Sequence, residues 1–108
     1  MSHRVIVARR AELEMQDAAL WWARYRSPEQ ASRWLAGIEN ELSSLANSPE
    51  RCPLAAERER FPYEIRELRY GIGKRPTHRA IFTIADDLVL VLSVRHLAQD
   101  LLSPDDLS

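Results

Sequence analysis

Cysteine is almost absent from the sequence, since Cys52 is the only one among 108 residues. A single thiol excludes an internal disulfide and is typical of a reducing compartment, so we expect a cytoplasmic location. The N-terminal stretch MSHRVIVARRAELEM lacks the apolar core of a signal peptide. No run approaches the roughly 18 apolar residues that a membrane helix needs. The sequence therefore predicts no association with a membrane.

Lysine is equally scarce, because Lys74 is the only one and arginine carries the rest of the positive charge. The formal net charge is −1, which does not predict a general binder of polyanions. A hydrophobic content of 45% and a charged content of 29% are ordinary for a globular domain. The length allows one core, so we expect a single domain over residues 1–108.

Motifs that hold metals, cofactors or nucleophiles are also lacking. His3, His78 and His96 do not have metal-ligand spacing, and Cys52 has no second cysteine to pair with. The segment GIGK at Gly71–Lys74 lacks the full phosphate-loop pattern and lies between two apparent strands. Serine-triad and paired-carboxylate signatures do not occur. The sequence therefore predicts no metal site and no cofactor.

Two helices are predicted in the first half of the chain. The first begins at Ala11 and reads AELEMQDAALWWARYR, without Pro or Gly, and an apolar face is predicted from four of its side chains, Leu13, Leu20, Trp21 and Tyr25. The second begins at SPEQ, with Ser27 as N-cap and Pro28 at the first helical position. Asn47-Ser48-Pro49 ends it. Because only a few residues join them, the helices should form an antiparallel hairpin.

Strands flank this helical pair. We predict a first strand at Val5–Val7 and three more at about 64–70, 79–84 and 88–95, with the last two joined by a turn at Ala85-Asp86-Asp87. Residues 49–62 contain three prolines and are predicted to be irregular. The element order is β-α-α-β-β-β. It predicts an α+β fold in which the helical hairpin packs on one face of a mainly antiparallel four-stranded sheet.

The register of the last hairpin decides which side chains meet at the end of the sheet. If Asp86-Asp87 form the loop, Arg79 lies opposite Val94, which puts Arg79 and His96 on one face and His78 and Arg95 on the other. A shift of one residue exchanges these sets. Either register gathers arginines and imidazoles at one end of the sheet, and such donors suit a phosphate backbone.

In this order the segments resemble the RelE/ParE superfamily of bacterial toxins from type II toxin–antitoxin modules. The resemblance covers most of the chain. It includes SPEQASRWL, LANSP, IRELRYG and HRAIFTIADDLVLVLSVRH, the last followed by Gln99-Asp100. It implies a small growth inhibitor that a cognate antitoxin protein binds and silences, in a toxin–antitoxin hetero-oligomer.

The resemblance also implies one of two targets. ParE-like members, where a target is known, inhibit DNA gyrase, whereas RelE-like members bind the ribosome and cut messenger RNA in its decoding site. A third interpretation is an inactive member that only binds its antitoxin. The SPEQA helix start and the short tail after His96 favour the ParE-like branch.

Each branch implies roles for particular residues. A metal-independent endoribonuclease would use Arg79, with Arg66 or Arg69, to stabilise the charge of the cleaved phosphate and His96 as general acid or base. A binding toxin would contact its target with residues at the end of the sheet, namely Arg69, Arg79, Arg95, His96 and Gln99. We expect Trp21 and Trp22 to contact the antitoxin.

Two departures from the RelE-like pattern weaken the nuclease interpretation. Gln99 stands where RelE-like members commonly have an arginine, and the C-terminal tyrosine of many such nucleases is missing, because Tyr70 is the last tyrosine. The sequence therefore favours inhibition by binding and leaves cleavage as the alternative.

Overall fold

The computed structural model describes residues 2–107 of the chain. Its helices and strands are, in order, β1 Arg4–Val7, α1 Arg9–Tyr25, α2 Pro28–Ser43, β2 Arg66–Tyr70, β3 His78–Ala85 and β4 Leu88–His96. Short 3-10 turns follow α2, interrupt the segment before β2 and end the described chain. The predicted element order and the α+β class are confirmed.

Helix α2 begins as its sequence predicts. The Gln30 amide donates to Ser27 Oγ at 3.1 Å, and Pro28 occupies the first turn, where its missing N–H costs no hydrogen bond. Trp34, Ile38 and Leu42 recur at helical spacing and are buried. These three buried side chains thereby hold α2 against the sheet.

The face of α1 that contacts the core differs from the predicted one. Leu13, Leu20, Trp21 and Tyr25 are all exposed, and Ala11 and Met15 are the buried residues of this helix. Small and flexible side chains let the helix lie close to its neighbours, so the larger apolar residues are left outside. The result is a helix with an unusually apolar outer surface.

The sheet has the strand order β1-β4-β3-β2, in which β1 runs parallel to β4 and the other neighbours are antiparallel. The first core cluster joins Trp34, Ile38 and Leu42 of α2 to residues of β3 and β4 such as Phe82 and Val91. This cluster holds the helices on one face, as predicted for a two-layer domain.

A β-bulge changes the register between β3 and β4. Ala85 pairs with Leu88, as a loop of Asp86-Asp87 requires. Between Ile81 and Phe82 the pairing then shifts, with Ile81 opposite Ser93 and Phe82 opposite Val91. The extra residue is Leu92. The prediction that Arg79 lies opposite Val94 is therefore wrong, because the turn alone does not set the register of the whole hairpin.

The opposite face of the sheet is covered by irregular chain. Ala55, Phe61 and Ile65 from the segment before β2 form a second cluster with Ile81 and Leu92, and Leu102 from the C-terminal segment completes it. Both faces of the central strands are thus buried, which explains why β3 and β4 are apolar without alternation.

Leu102→Ala should lower the free energy of unfolding by about 2–5 kcal/mol, because Leu102 is 0% exposed and its loss opens a cavity. The adjacent Leu101 is 39% exposed, so Leu101→Ala should cost at most about 0.5 kcal/mol. Urea denaturation of the two variants measures the difference. Equal effects would show that the C-terminal segment does not pack on the sheet.

Candidate functional site

The bulge sorts the side chains at the end of the sheet into two rows. Arg69, Arg79 and Arg95 lie side by side on β2, β3 and β4, because each pairs with the next in register. Tyr70, His78 and His96 form the next row along the strands, and successive residues of a strand point to opposite faces. The arginines therefore share one face and the imidazoles the other, so Arg79 and His96 do not meet.

Arg79 is buried, and its guanidinium is bound by two carboxylates. It is 4% exposed, and its guanidinium donates to both carboxylate oxygens of Glu57, with Nη1–Oε1 at 2.7 Å. Nη1 also lies 3.3 Å from Glu67 Oε1. The guanidinium of Arg79 is therefore enclosed by carboxylates and shielded from solvent.

Glu57 is 0% exposed and also accepts the Leu102 amide at 2.7 Å. Burial alone would raise the pKa of this carboxyl, but the bonds from Arg79 and the Leu102 amide outweigh burial and hold the pKa below its ordinary value. Glu57 in turn raises the pKa of Arg79. Sequence reasoning missed Glu57, because it lies in irregular chain 22 residues before Arg79.

The other cations predicted for the site differ in how many hydrogen bonds and ion pairs they form within the fold. Arg66 donates to the carbonyls of Cys52 and Glu50 and pairs with Glu64 at 2.9 Å. Arg95 is buried, donates to the Asp100 carbonyl at 2.9 Å and lies 3.9 Å from Glu14. Arg69 bonds to Glu67 at 3.0 Å but keeps a largely exposed side chain.

The imidazole face opens into a cleft of about 600 Å³ between α1 and the ends of β3 and β4. Its walls include two of the predicted target contacts, His96 and Gln99, and both predicted antitoxin contacts, Trp21 and Trp22. The side chain of Trp22 packs against the core, whereas Trp21 is 48% exposed. The structure thus brings four predicted residues together and separates them from the arginine row.

His78 forms the floor of the cleft. Its ring stacks edgewise on Trp34 at a centroid distance of 4.9 Å and on His96 at 5.1 Å. Burial, with a smaller contribution from His96, lowers the pKa of His78 to about 4. His78 is therefore neutral near pH 7.

His96 is held at the mouth of the cleft. The Ala98 amide donates to its Nδ1 at 3.0 Å, which requires a lone pair there and places the ring proton on Nε2. Gln99 Oε1 accepts the His96 amide at 2.7 Å, and Glu14 Oε1 accepts the Val94 amide at 3.2 Å. Sequence reasoning missed Glu14, because a carboxylate on α1 gives no local sign that it will reach β4.

Other chemistries find little support in the part of the chain that the structure describes. Among residues 2–107, no group of three or more His, Cys, Asp or Glu side chains could hold a metal ion. Cys52 is buried, and burial raises the pKa of its thiol. None of the described helices combines the length and the hydropathy that crossing a membrane requires.

Comparison with known proteins identifies the class. The family model of the ParE toxin of the type II toxin–antitoxin system parDE matches residues 5–101. With its two helices on a four-stranded mixed sheet, the chain is a toxin of the RelE/ParE superfamily. Within that superfamily it belongs to the ParE toxin family.

Solved structures share the fold at low sequence identity. The chromosomal ParDE toxin–antitoxin system from P. aeruginosa is similar at a TM-score of 0.70 and 16% identity, covering 88% of this chain and 96% of that one. A mutant of the E. coli toxin RelE in the free state is similar at 0.60 and 17%, covering 91% and 86%. Among curated protein sequences, none matches the chain significantly.

Arg79→Met should lower the free energy of unfolding by about 3–5 kcal/mol, because it leaves the buried Glu57 carboxylate without its cation. Its cross-strand neighbour supplies the control. Arg69→Met removes an exposed partner of Glu67 and should cost at most about 1 kcal/mol. Chemical denaturation at neutral pH measures both, and similar costs would contradict the role given to Glu57.

Acidification should destabilise the protein between about pH 6.5 and pH 4. The pKa of His78 is about 4 in the folded chain and about 6.5 when unfolded, so the unfolded state binds more protons in this window. The resulting loss of stability is at most about 3 kcal/mol. His78→Phe should remove this part of the pH dependence, measured as unfolding free energy against pH.

His3→Gln is the matched control, because it removes a histidine outside the cleft and should retain the slope that His78 causes. An unchanged slope in His78→Phe would contradict the assignment of the titration to His78.

Proposed function

We propose that the chain is a growth-inhibiting toxin that acts by binding DNA gyrase, does not cleave RNA, and is silenced by a cognate antitoxin. Membership of the ParE toxin family supports this proposal. The observation that carries it is the burial of Arg79 against Glu57 and Glu67. A nuclease of this kind needs free cations beside its acid–base group. Arg79, the principal candidate for such a cation, is neutralised by carboxylates on the face of the sheet opposite to His96.

Electrostatic stabilisation of the transition state is commonly the largest single contribution to such a reaction. Arg66 is committed to backbone carbonyls near Cys52, and Arg69 and Arg79 lie on the other face of the sheet from His96. Two carboxylates, Glu14 and Asp17, line the cleft that contains His96. A scissile phosphate beside His96 would meet those negative charges.

One observation favours ribosome-dependent messenger RNA cleavage as the second candidate. His96 is exposed, and among the described residues no partner occupies its Nε2. An accessible imidazole can exchange protons with a bound substrate as a general acid or base. Among the described residues, Arg26 is the one cation that lines this cleft, beside the carboxylates of Glu14 and Asp17, so this candidate is the weaker of the two.

Parallel assays on the purified chain test the target. We expect inhibition of DNA supercoiling by gyrase and intact messenger RNA on ribosomes with an occupied decoding site. Ribosome-dependent cleavage with unimpaired supercoiling would contradict the proposal. Inactivity in both assays, with a folded protein, would favour the interpretation as an inactive antitoxin-binding member.

The size of the effect of His96→Gln distinguishes a residue that contacts the target from a residue that catalyses cleavage. Losing an acid–base group reduces a cleavage rate by roughly 10²–10⁴-fold, whereas losing one hydrogen bond to a target changes affinity by roughly tenfold or less. We expect a change of the smaller size in the concentration that inhibits gyrase. A loss of the larger size in growth inhibition would favour the nuclease.

A further inference from the structure

Beyond Val91, one edge of β4 is open. β1 pairs with β4 only from Leu88 to Val91, and the Ala8 amide adds a last bond to the Val91 carbonyl at 2.9 Å. The following residues of β4, 93–96, pair with β3 on their other side. An unpaired strand edge is a template on which a further strand can form.

Two side chains occupy the hydrogen-bonding positions of this edge. Glu14 Oε1 accepts the Val94 amide at 3.2 Å, and Gln99 Oε1 accepts the His96 amide at 2.7 Å. Val94 and His96 are alternate residues, so their amides point the same way, as the donors of a strand edge do. Each side-chain oxygen stands where a carbonyl of an added strand would bind.

Space for a main chain lies beside this edge. The four residues of the two contacts, Glu14, Val94, His96 and Gln99, all line the cleft of about 600 Å³. That volume is within the range of binding pockets for ligands. The opposite wall is α1, where Ala18 and the indole rings of Trp21 and Trp22 face the cleft. An extended segment could pair with β4 and rest its side chains on this apolar wall.

The charges of the cleft favour a basic occupant. Asp17 has no ion-pair partner within residues 2–107, and Glu14 lies 3.6 Å from Arg10 and 3.9 Å from Arg95. Arg26 is the one lining cation among the described residues, and its guanidinium lies over the Trp21 ring at 5.9 Å. Nucleic acid would bring phosphates toward the carboxylates, whereas lysine or arginine side chains complement them and stack on indole rings.

We propose that the open edge of β4 is a docking site for an extended, positively charged segment of a partner protein. The segment pairs its main chain with Val94 and His96 in place of Glu14 and Gln99, and directs a basic side chain to Asp17. This is β-strand addition, in which main-chain bonds supply affinity and flanking pockets supply specificity. The proposal concerns a surface and does not depend on which target the toxin inhibits.

The competing role for Glu14 and Gln99 is protection of the edge alone. Strand edges are commonly blocked by side chains so that copies of a protein do not pair. Protection predicts that removing a blocking side chain leads to self-association of the chain, whereas docking predicts a gain in affinity for a peptide.

Selection of random linear peptides displayed on phage against the full chain provides the probe. Enriched peptides are synthesised and bound to the isotopically labelled chain for NMR. We expect peptides with lysine or arginine that form intermolecular contacts at the Val94 and His96 amides. Enrichment of acidic peptides, contacts confined to other surfaces, or no enrichment would each overturn the proposal.

Two variants sharpen the result. Gln99→Ala leaves the His96 amide without its side-chain acceptor, so the enriched peptides should bind roughly fivefold more tightly, the equivalent of one net hydrogen bond. Asp17→Asn should weaken binding by roughly threefold, as expected for one exposed charge pair. Glu12→Gln is the matched control, because it removes an exposed carboxylate of α1 outside the cleft and should leave the affinity unchanged.

Unchanged or weaker binding by Gln99→Ala would show that its side chain is not displaced. Dimerisation of Gln99→Ala without a gain in peptide affinity would assign the edge contacts to protection. Competition by single-stranded DNA or RNA at the same amides would show that the occupant is nucleic acid. These outcomes are independent of the gyrase and ribosome assays, so this inference and the proposed function can fail separately.

Discussion

The buried carboxylate of Glu57 is the interaction on which this structure depends most. It joins three segments that are distant in the chain, because it lies in the irregular segment before β2, binds Arg79 of β3 and accepts the amide of Leu102. A carboxylate that is removed from water is stable only while its partners remain. The loop, the sheet and the C-terminal segment therefore hold one another in place, and the charge of Arg79 stabilises their contact.

The β-bulge at Leu92 has the second large effect, since it decides which chemical groups share a face. Without it, Arg79 would lie on the side of His96, and a cation would stand beside an exposed imidazole. With it, Arg79 pairs with the carboxylates of Glu57 and Glu67, while His78 and His96 line the cleft beside α1. One inserted residue thereby separates the two components that phosphate cleavage would need together.

Short local patterns in the sequence predicted the fold well, but they could not predict contacts between segments that are distant in the chain. The Ser27-Pro28 helix start and the Asp86-Asp87 turn are short patterns with a direct physical basis, and the structure has both where they were predicted. The bulge and the pairing of Glu57 arise from packing between segments, and neither leaves a periodic trace in the sequence. The contact face of α1 was wrongly predicted, because the spacing of its large apolar residues does not mark the side that packs, and close packing there is achieved by Ala11 and Met15.

The cleft beside α1 has the groups that commonly recognise a protein partner. Arg66, Arg79 and Arg95 are engaged within the fold. The accessible cleft combines indole rings, imidazoles, the Asp17 carboxylate, which has no ion-pair partner within residues 2–107, and a strand edge with main-chain donors. Aromatic groups and main-chain donors recognise peptides, whereas polyanions require accessible cations. The cleft therefore suits a protein partner better than nucleic acid, because Arg26 is its one lining cation among the described residues and the ion pairs of Arg79 hold that cation away from it.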